Sequence, residues 1–174
     1  LGASAHASPI EPLLVALTDT DADIAAAARA VVIGLGTSLA SSLLDSLSPS
    51  QPGVVHGVVM EALLAAGKGG VGVLGETLAS HTSPLAREIA AASLERLGKE
   101  ASGATEALIG ALTDDVDSVR SASALALGFV AERDEAVLEA LVAACRDGVL
   151  AVRVAASTAR SRITGSYVEP IAGL

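Results

Sequence analysis

The sequence predicts an all-α solenoid, a row of stacked helical hairpins in place of one large globular core. Three observations predict it. A stretch of about thirty residues recurs along the chain, its apolar residues fall at helical spacing, and the composition suits thin, closely packed helices. The chain is 51% hydrophobic but only 1% aromatic, so its apolar content is mostly Ala, Leu and Val.

The clearest copy of the unit runs from Leu112 to Val130, LTDDVDSVRSASALALGFV. Thr113, Asp114, Asp115 and Asp117 crowd its start. Short acceptor side chains there cap free N–H groups, and negative charge suits the positive end of the helix dipole. From that point Val119, Ala122, Ala126 and Phe129 share one face of a 3.6-residue helix. Ahead of the turn, Ala107, Leu108, Ala111 and Leu112 form a shorter apolar stripe, so the unit is helix, acidic turn, helix.

Sliding this unit along the chain places Leu13, Leu43, Leu74, Leu108 and Leu141 in register, at successive spacings of 30, 31, 34 and 33 residues. Leu17, Leu47, Leu78, Leu112 and Cys145 follow four residues behind. Carried through the turn without a gap, the same offsets put Val119 on Ile24, Val54, Leu85 and Val152. They put Ala122 on Ala27, Gly57, Glu88 and Ala155, with Glu88 an exception to the apolar pattern. The expected repeats are residues 10–36, 38–67, 71–98, 104–131 and 134–163 of one continuous domain. Glycines at 67–70 and 98–103 mark the loosest joints, where glycine can end a helix in the left-handed conformation. Each helix is near or below the roughly 12 to 15 residues at which isolated helices become marginal, so neighbouring hairpins must stabilise one another.

The ends suggest partial repeats. Leu1-Gly2 reads as the end of a second helix, and Val168-Glu169-Pro170-Ile171 echoes Ile10-Glu11-Pro12-Leu13, which opens the first repeat. The expectation is a fragment of a longer array.

The stretch from Asp114 to Gly128, DDVDSVRSASALALG, resembles the HEAT repeat in its short form, the PBS-lyase HEAT-like repeat. The fifth unit, RDGVLAVRVAASTARSRI, is a good match, and the first, TDTDADIAAAARAVVIGLG, keeps the acidic turn but has Ala25 where the family has arginine. The second and third diverge, with Val55 and Ala86 at that place, although Pro52 and Pro84 stand where the family commonly has proline. Proline is tolerated in a first helical turn because its missing N–H would have no partner there. The resemblance implies a right-handed superhelix of the HEAT and armadillo kind. It also implies a ladder in which a turn aspartate pairs with a second-helix arginine from repeat to repeat, which would make Asp114, Arg120, Asp147 and Arg153 structural.

Enzymatic relatives in the same helical-repeat world are tested by their residues. Di-iron hydroxylases of this architecture use His-Glu pairs, whereas His6, His56 and His81 are each followed by another residue and lie far apart, so no metal site or cofactor is expected. Chromophore handling of the bilin-lyase kind would call for aromatic groups in a groove, and Phe129 and Tyr167 are the only aromatics. The sequence carries no phosphate loop or serine elbow.

A net charge of −9 argues against nucleic acid, whose backbone is bound by neutralising it with Lys and Arg. The C-terminal edge is locally basic, with Arg146, Arg153, Arg160 and Arg162 against Asp147 and Glu169. Cys145 occupies a leucine position of the apolar stripe, the mark of a buried free thiol, and a single cysteine fits a reducing, cytoplasmic setting. Ile24 to Leu44 approaches the ~20 apolar residues that cross a bilayer, but Arg29, Gly34, Gly36 and Thr37 interrupt it, so no membrane span is expected. The expected function is a non-catalytic protein-binding scaffold. Second helices would line a concave surface, with His56, Arg87, Ser121, Ser157 and Arg160 touching a protein partner. The alternative is an accessory or modifying subunit of the bilin-lyase type.

Overall fold

The computed structural model describes residues 10–166, and the expected partial repeats at both ends lie outside these residues. The fold is an all-α helical-repeat solenoid, with no strand among the described residues. Five helical hairpins follow in order: α1 (Glu11–Ala16) with α2 (Ala22–Leu35), α3 (Ala40–Asp45) with α4 (Gly53–Ala65), α5 (Val71–Ser80) with α6 (Pro84–Leu97), α7 (Thr105–Gly110) with α8 (Asp117–Val130), and α9 (Glu135–Ala144) with α10 (Leu150–Thr164). The second helix of each pair is the longer, at 13 to 15 residues against 6 to 10.

The chain forms two compact units, 1–66 and 67–174. In the first, α2 packs on α4, and Leu14, Val32, Leu43, Leu44, Val59 and Leu63 are buried. In the second, α8 is the central element, packed on α6 on one side and α10 on the other. Its approach to α10 is close: a Cβ added at Gly128 would lie 2.8 Å from the Cα of Ala159. The small residues Ala91, Ser93, Ala124, Ala126, Ala156 and Ala159 are fully buried in these helices, the arrangement that an alanine-rich, aromatic-poor sequence allows.

Burial corrects the register expected through the turns. The first helices keep it, since Leu43, Leu74, Leu108 and Leu141 are at most 1% exposed, with Leu13 half-buried beside the buried Leu14. The second helices do not. Val119 corresponds to the buried Val55 and Ala86, one residue later than expected, while Val54 is 50% exposed. From Leu47 to the start of α4, and from Leu78 to the start of α6, the chain takes six residues; after Leu17, Leu112 and Cys145 it takes five. The two longer turns are those that carry Pro52 and Pro84. With the slip removed, Ala122 corresponds to Ile89, and Glu88 ceases to be an exception.

The apolar stretch from Ile24 to Leu44 is broken where expected, as α2 ends at Leu35 and Gly36 turns the chain with a φ of 29°. Gly67 and Gly98 also take positive φ, where a side chain would strain the backbone, and each leads into a 3-10 turn. Among the described residues no single helix is long and apolar enough to cross a membrane.

Candidate interaction surface

Four of the five turns between paired helices, all but the one that ends at Pro52, share one device. Three residues before the second helix, an acceptor side chain receives the N–H two residues on. Asp19 Oδ1 accepts from Asp21, His81 Nδ1 from Ser83, Asp114 Oδ1 from Val116 and Asp147 Oδ1 from Val149, at 2.8 to 3.0 Å. This local bond fixes the entry to the second helix, as Asx turns do elsewhere.

On that frame an arginine of one hairpin reaches the aspartate of the next. Arg87 Nε donates to Asp114 Oδ2 at 2.7 Å and Nη2 to Oδ1 at 2.9 Å, 27 residues apart in sequence. Arg120 repeats the fork on Asp147 at 2.8 and 3.2 Å, again across 27 residues. Each arginine is also tied to its own turn, Arg87 Nη1 to the carbonyl of His81 and Arg120 Nη1 to that of Asp114. All four side chains are at most 16% exposed, so the pairs are largely screened from water. The Arg120 fork, together with the Val149 N–H, holds the Asp147 carboxyl below its usual range, outweighing burial. For Asp114 burial pushes upward, but the fork from Arg87 and the Val116 N–H bring the net shift down.

Arg153 is built like its counterparts but differs at its tip. Nη1 donates to the carbonyls of Asp147 and Gly148, while Nε is buried and unpaired. In the second hairpin the arginine place is held by His56, whose Nε2 lies 3.0 Å from the carbonyl of Ser48. In the first it is held by Ala25, and α2 joins α4 through the more exposed pair Arg29 and Glu61.

The residues expected to touch a partner are thus spread over different environments. Arg87 is engaged in the fork, which the one-residue slip had hidden by placing Ala86 at the arginine position. Ser157 is 2% exposed and faces the Cys145 thiol at 3.6 Å, so it is a core residue and its assignment to the surface is corrected. Arg160 is half-buried with Nη1 3.7 Å from the same sulfur. His56 is half-buried against its own turn, and Ser121 lies in an open depression.

That depression runs across α6, α8 and α10 in the second unit. Glu88, Glu95 and Asp117 supply its charge, Ser118 and Ser121 its hydroxyls, and Ala122, Leu125 and Ala151 its apolar floor. The Ser118 hydroxyl donates to Glu88 Oε2 at 2.7 Å and fixes that carboxylate across two helices. Sequence reasoning missed the acidic residues because it followed hydroxyls and cations. With Glu88 in its true register, one turn beyond Pro84 on the open face, the charge would have stood out. Among the described residues no cluster of His, Cys, Asp and Glu is arranged to hold a metal.

Stacked hairpins joined by an arginine–aspartate ladder define an α-helical repeat protein. A family profile for HEAT repeats matches residues 71–160, more than half of the chain, and the chain belongs to that family. Among solved structures it is similar to a chain from the complex of CpcE and CpcF of phycocyanin lyase from Nostoc sp. PCC7120. The identity is 22%, covering 87% of this chain and 98% of that one, with a TM-score of 0.59. It is also similar to two engineered proteins, at 22% and 21% identity and TM-scores of 0.54 and 0.55, each over 92% of this chain and 81% and 83% of theirs. At these identities the likeness is one of fold. A comparison with curated protein sequences finds no match.

Proposed function

We propose that the protein is a non-catalytic scaffold that binds a protein segment along the second helices of residues 67–166. The observation that carries this reading is the depression over α6, α8 and α10, where three carboxylates border an apolar floor. Its complement is an extended or helical segment bearing Lys or Arg beside small apolar side chains. Charge of this sign steers encounter and fixes register, while the floor supplies contact area. The HEAT architecture supports the reading, since stacked helices present long, shallow faces suited to partner chains. A reducing, cytoplasmic setting agrees with the buried free Cys145.

The test is capture of partners from the native host with the wild-type protein and with a Glu88→Lys, Glu95→Lys variant. Retention of a protein by the wild type and its loss in the variant is the expected result. The fold similarity to a phycocyanin lyase subunit gives the second reading, an accessory subunit of a chromophore lyase. A coloured small molecule that co-purifies with both proteins would favour it and displace the scaffold.

A further inference from the structure

The depression over α6, α8 and α10 has a direction as well as a sign. On the open side of α8, Ser118, Ala122, Leu125 and Phe129 stand at spacings of four, three and four, one face of the helix, with Val119, Ser123, Ala126, Leu127 and Val130 buried behind them. At 1.5 Å per residue this track is about 16 Å long, three helical turns. It begins beside Asp117 and ends at Phe129, the only aromatic side chain among the described residues. Phe129 is 39% exposed and carries the Arg162 guanidinium 3.8 Å from its ring centre.

A row of charge runs beside the track. Glu88 and Glu95 both line the depression and lie seven residues apart on α6, two turns or about 10 Å along its axis. The Ser118 hydroxyl already holds Glu88, so that carboxylate meets a cation without first having to be ordered. Groups that could satisfy a peptide backbone are scarce by contrast. An extended segment brings an N–H and a C=O at every residue, each of which needs a partner once water is displaced. The lining includes no amide side chain, and the whole chain has no asparagine and a single glutamine, Gln51, which is bonded within its own turn. In the body of α6, α8 and α10 the backbone N–H groups are taken up by their own helices. A helix satisfies its own backbone in the same way and asks of this surface only side-chain contacts.

We propose that the segment bound in this depression is a basic amphipathic helix laid along α8, with Lys or Arg at positions i and i+7 over Glu88 and Glu95 and an apolar stripe over Ala122, Leu125 and Phe129. The inference rests on the scaffold reading and narrows it, choosing the helical segment over the extended one. It is the helix-in-groove mode of recognition, in which spaced apolar anchors supply contact area and the flanking charges set register.

Fluorescence anisotropy of labelled synthetic peptides with the full chain at low ionic strength tests it. The parent probe is an alanine-based peptide of about eighteen residues, long enough to be helical, with two lysines seven residues apart and leucines on the adjoining stripe. It should bind the wild type. Moving one lysine two positions round the helix, or placing a proline at the centre with the charge unchanged, should each weaken binding about tenfold or more. Phe129→Ala should weaken it as well. The Glu88→Lys, Glu95→Lys variant should lose the parent peptide and gain one with glutamates in place of the two lysines, a rescue that a misfolded variant cannot give. A parent peptide that does not bind, a proline peptide that binds as tightly as the parent, or a displaced lysine that makes no difference would each overturn the proposal. The scaffold reading is judged apart from this: a host protein captured by the wild type and lost in the double variant, with no affinity for the helical peptide, would refute the helix and keep the scaffold.

Discussion

At the scale of single residues, the Arg120–Asp147 fork is the contact whose removal should be felt most. Both side chains are at most 16% exposed, and each is bound further by its own turn, so deleting one strands the other in a partly dry site. Replacing Arg120 with alanine should cost about 2–4 kcal/mol, somewhat under the roughly 3–5 kcal/mol of a fully buried pair because both side chains keep some exposure, and chemical denaturation of the variant measures it. The pH dependence follows from the lowered Asp147 carboxyl. A folded-state value below the unfolded one, about 3.9, gives stability that is fully present at neutral pH and is lost as pH falls through the folded value. Asp147→Asn lacks this contribution at every pH. The gap in melting temperature between wild type and variant should therefore be widest at neutral pH, begin to narrow below about pH 4 and close only once pH passes the lower folded value, as a pH series of thermal melts will show; a gap that stays constant down to about pH 3 would refute the assignment.

At the scale of the element, helix contact is set by small residues, and Gly128 is the sharpest case. Its missing Cβ lets α8 come against Ala159 of α10, whose backbone cannot yield as a flexible side-chain tip would. Gly128→Ala should destabilise the chain by about 1–3 kcal/mol through overpacking, despite alanine's better helix propensity, and a rise in melting temperature would contradict this. The same small-residue character explains what the sequence concealed. Periodicity located the hairpins and their first helices because a pair of leucines four residues apart, as at Leu43 and Leu47, Leu74 and Leu78 or Leu108 and Leu112, recurs from one first helix to the next. In the second helices Val54 and Val55, or Leu85 and Ala86, are interchangeable as pattern, so a turn longer by one residue went unseen. Arg87 could have revealed it, since it precedes Arg120 by the same 33 residues that separate Arg120 from Arg153. Ser157 misled for a related reason: a hydroxyl on an alanine-rich helix reads as surface, whereas the close packing of these helices buries small polar and apolar residues alike.

At the scale of the whole molecule, a repeat protein draws its stability from within each hairpin and from each neighbour contact, so resistance to opening varies along the chain. Within residues 67–174, two low-exposure forks join the hairpins, and α8 is packed on both sides. Within residues 1–66, Ala25 stands at the arginine place, and the charged link between α2 and α4 is Arg29–Glu61, with side chains 50% and 38% exposed. A pair so open to solvent contributes about 0–1 kcal/mol. The α2 helix also leaves Ile24 and Val31 uncovered at positions that are buried in the later second helices. Backbone amides of α2 should therefore exchange with solvent deuterium well before those of α8, with α8 opening only as the second unit unfolds. Peptide-resolved hydrogen exchange at low protein concentration measures the order directly, and equal protection of the two helices would mean that cooperativity, and not the ladder, governs how the array comes apart.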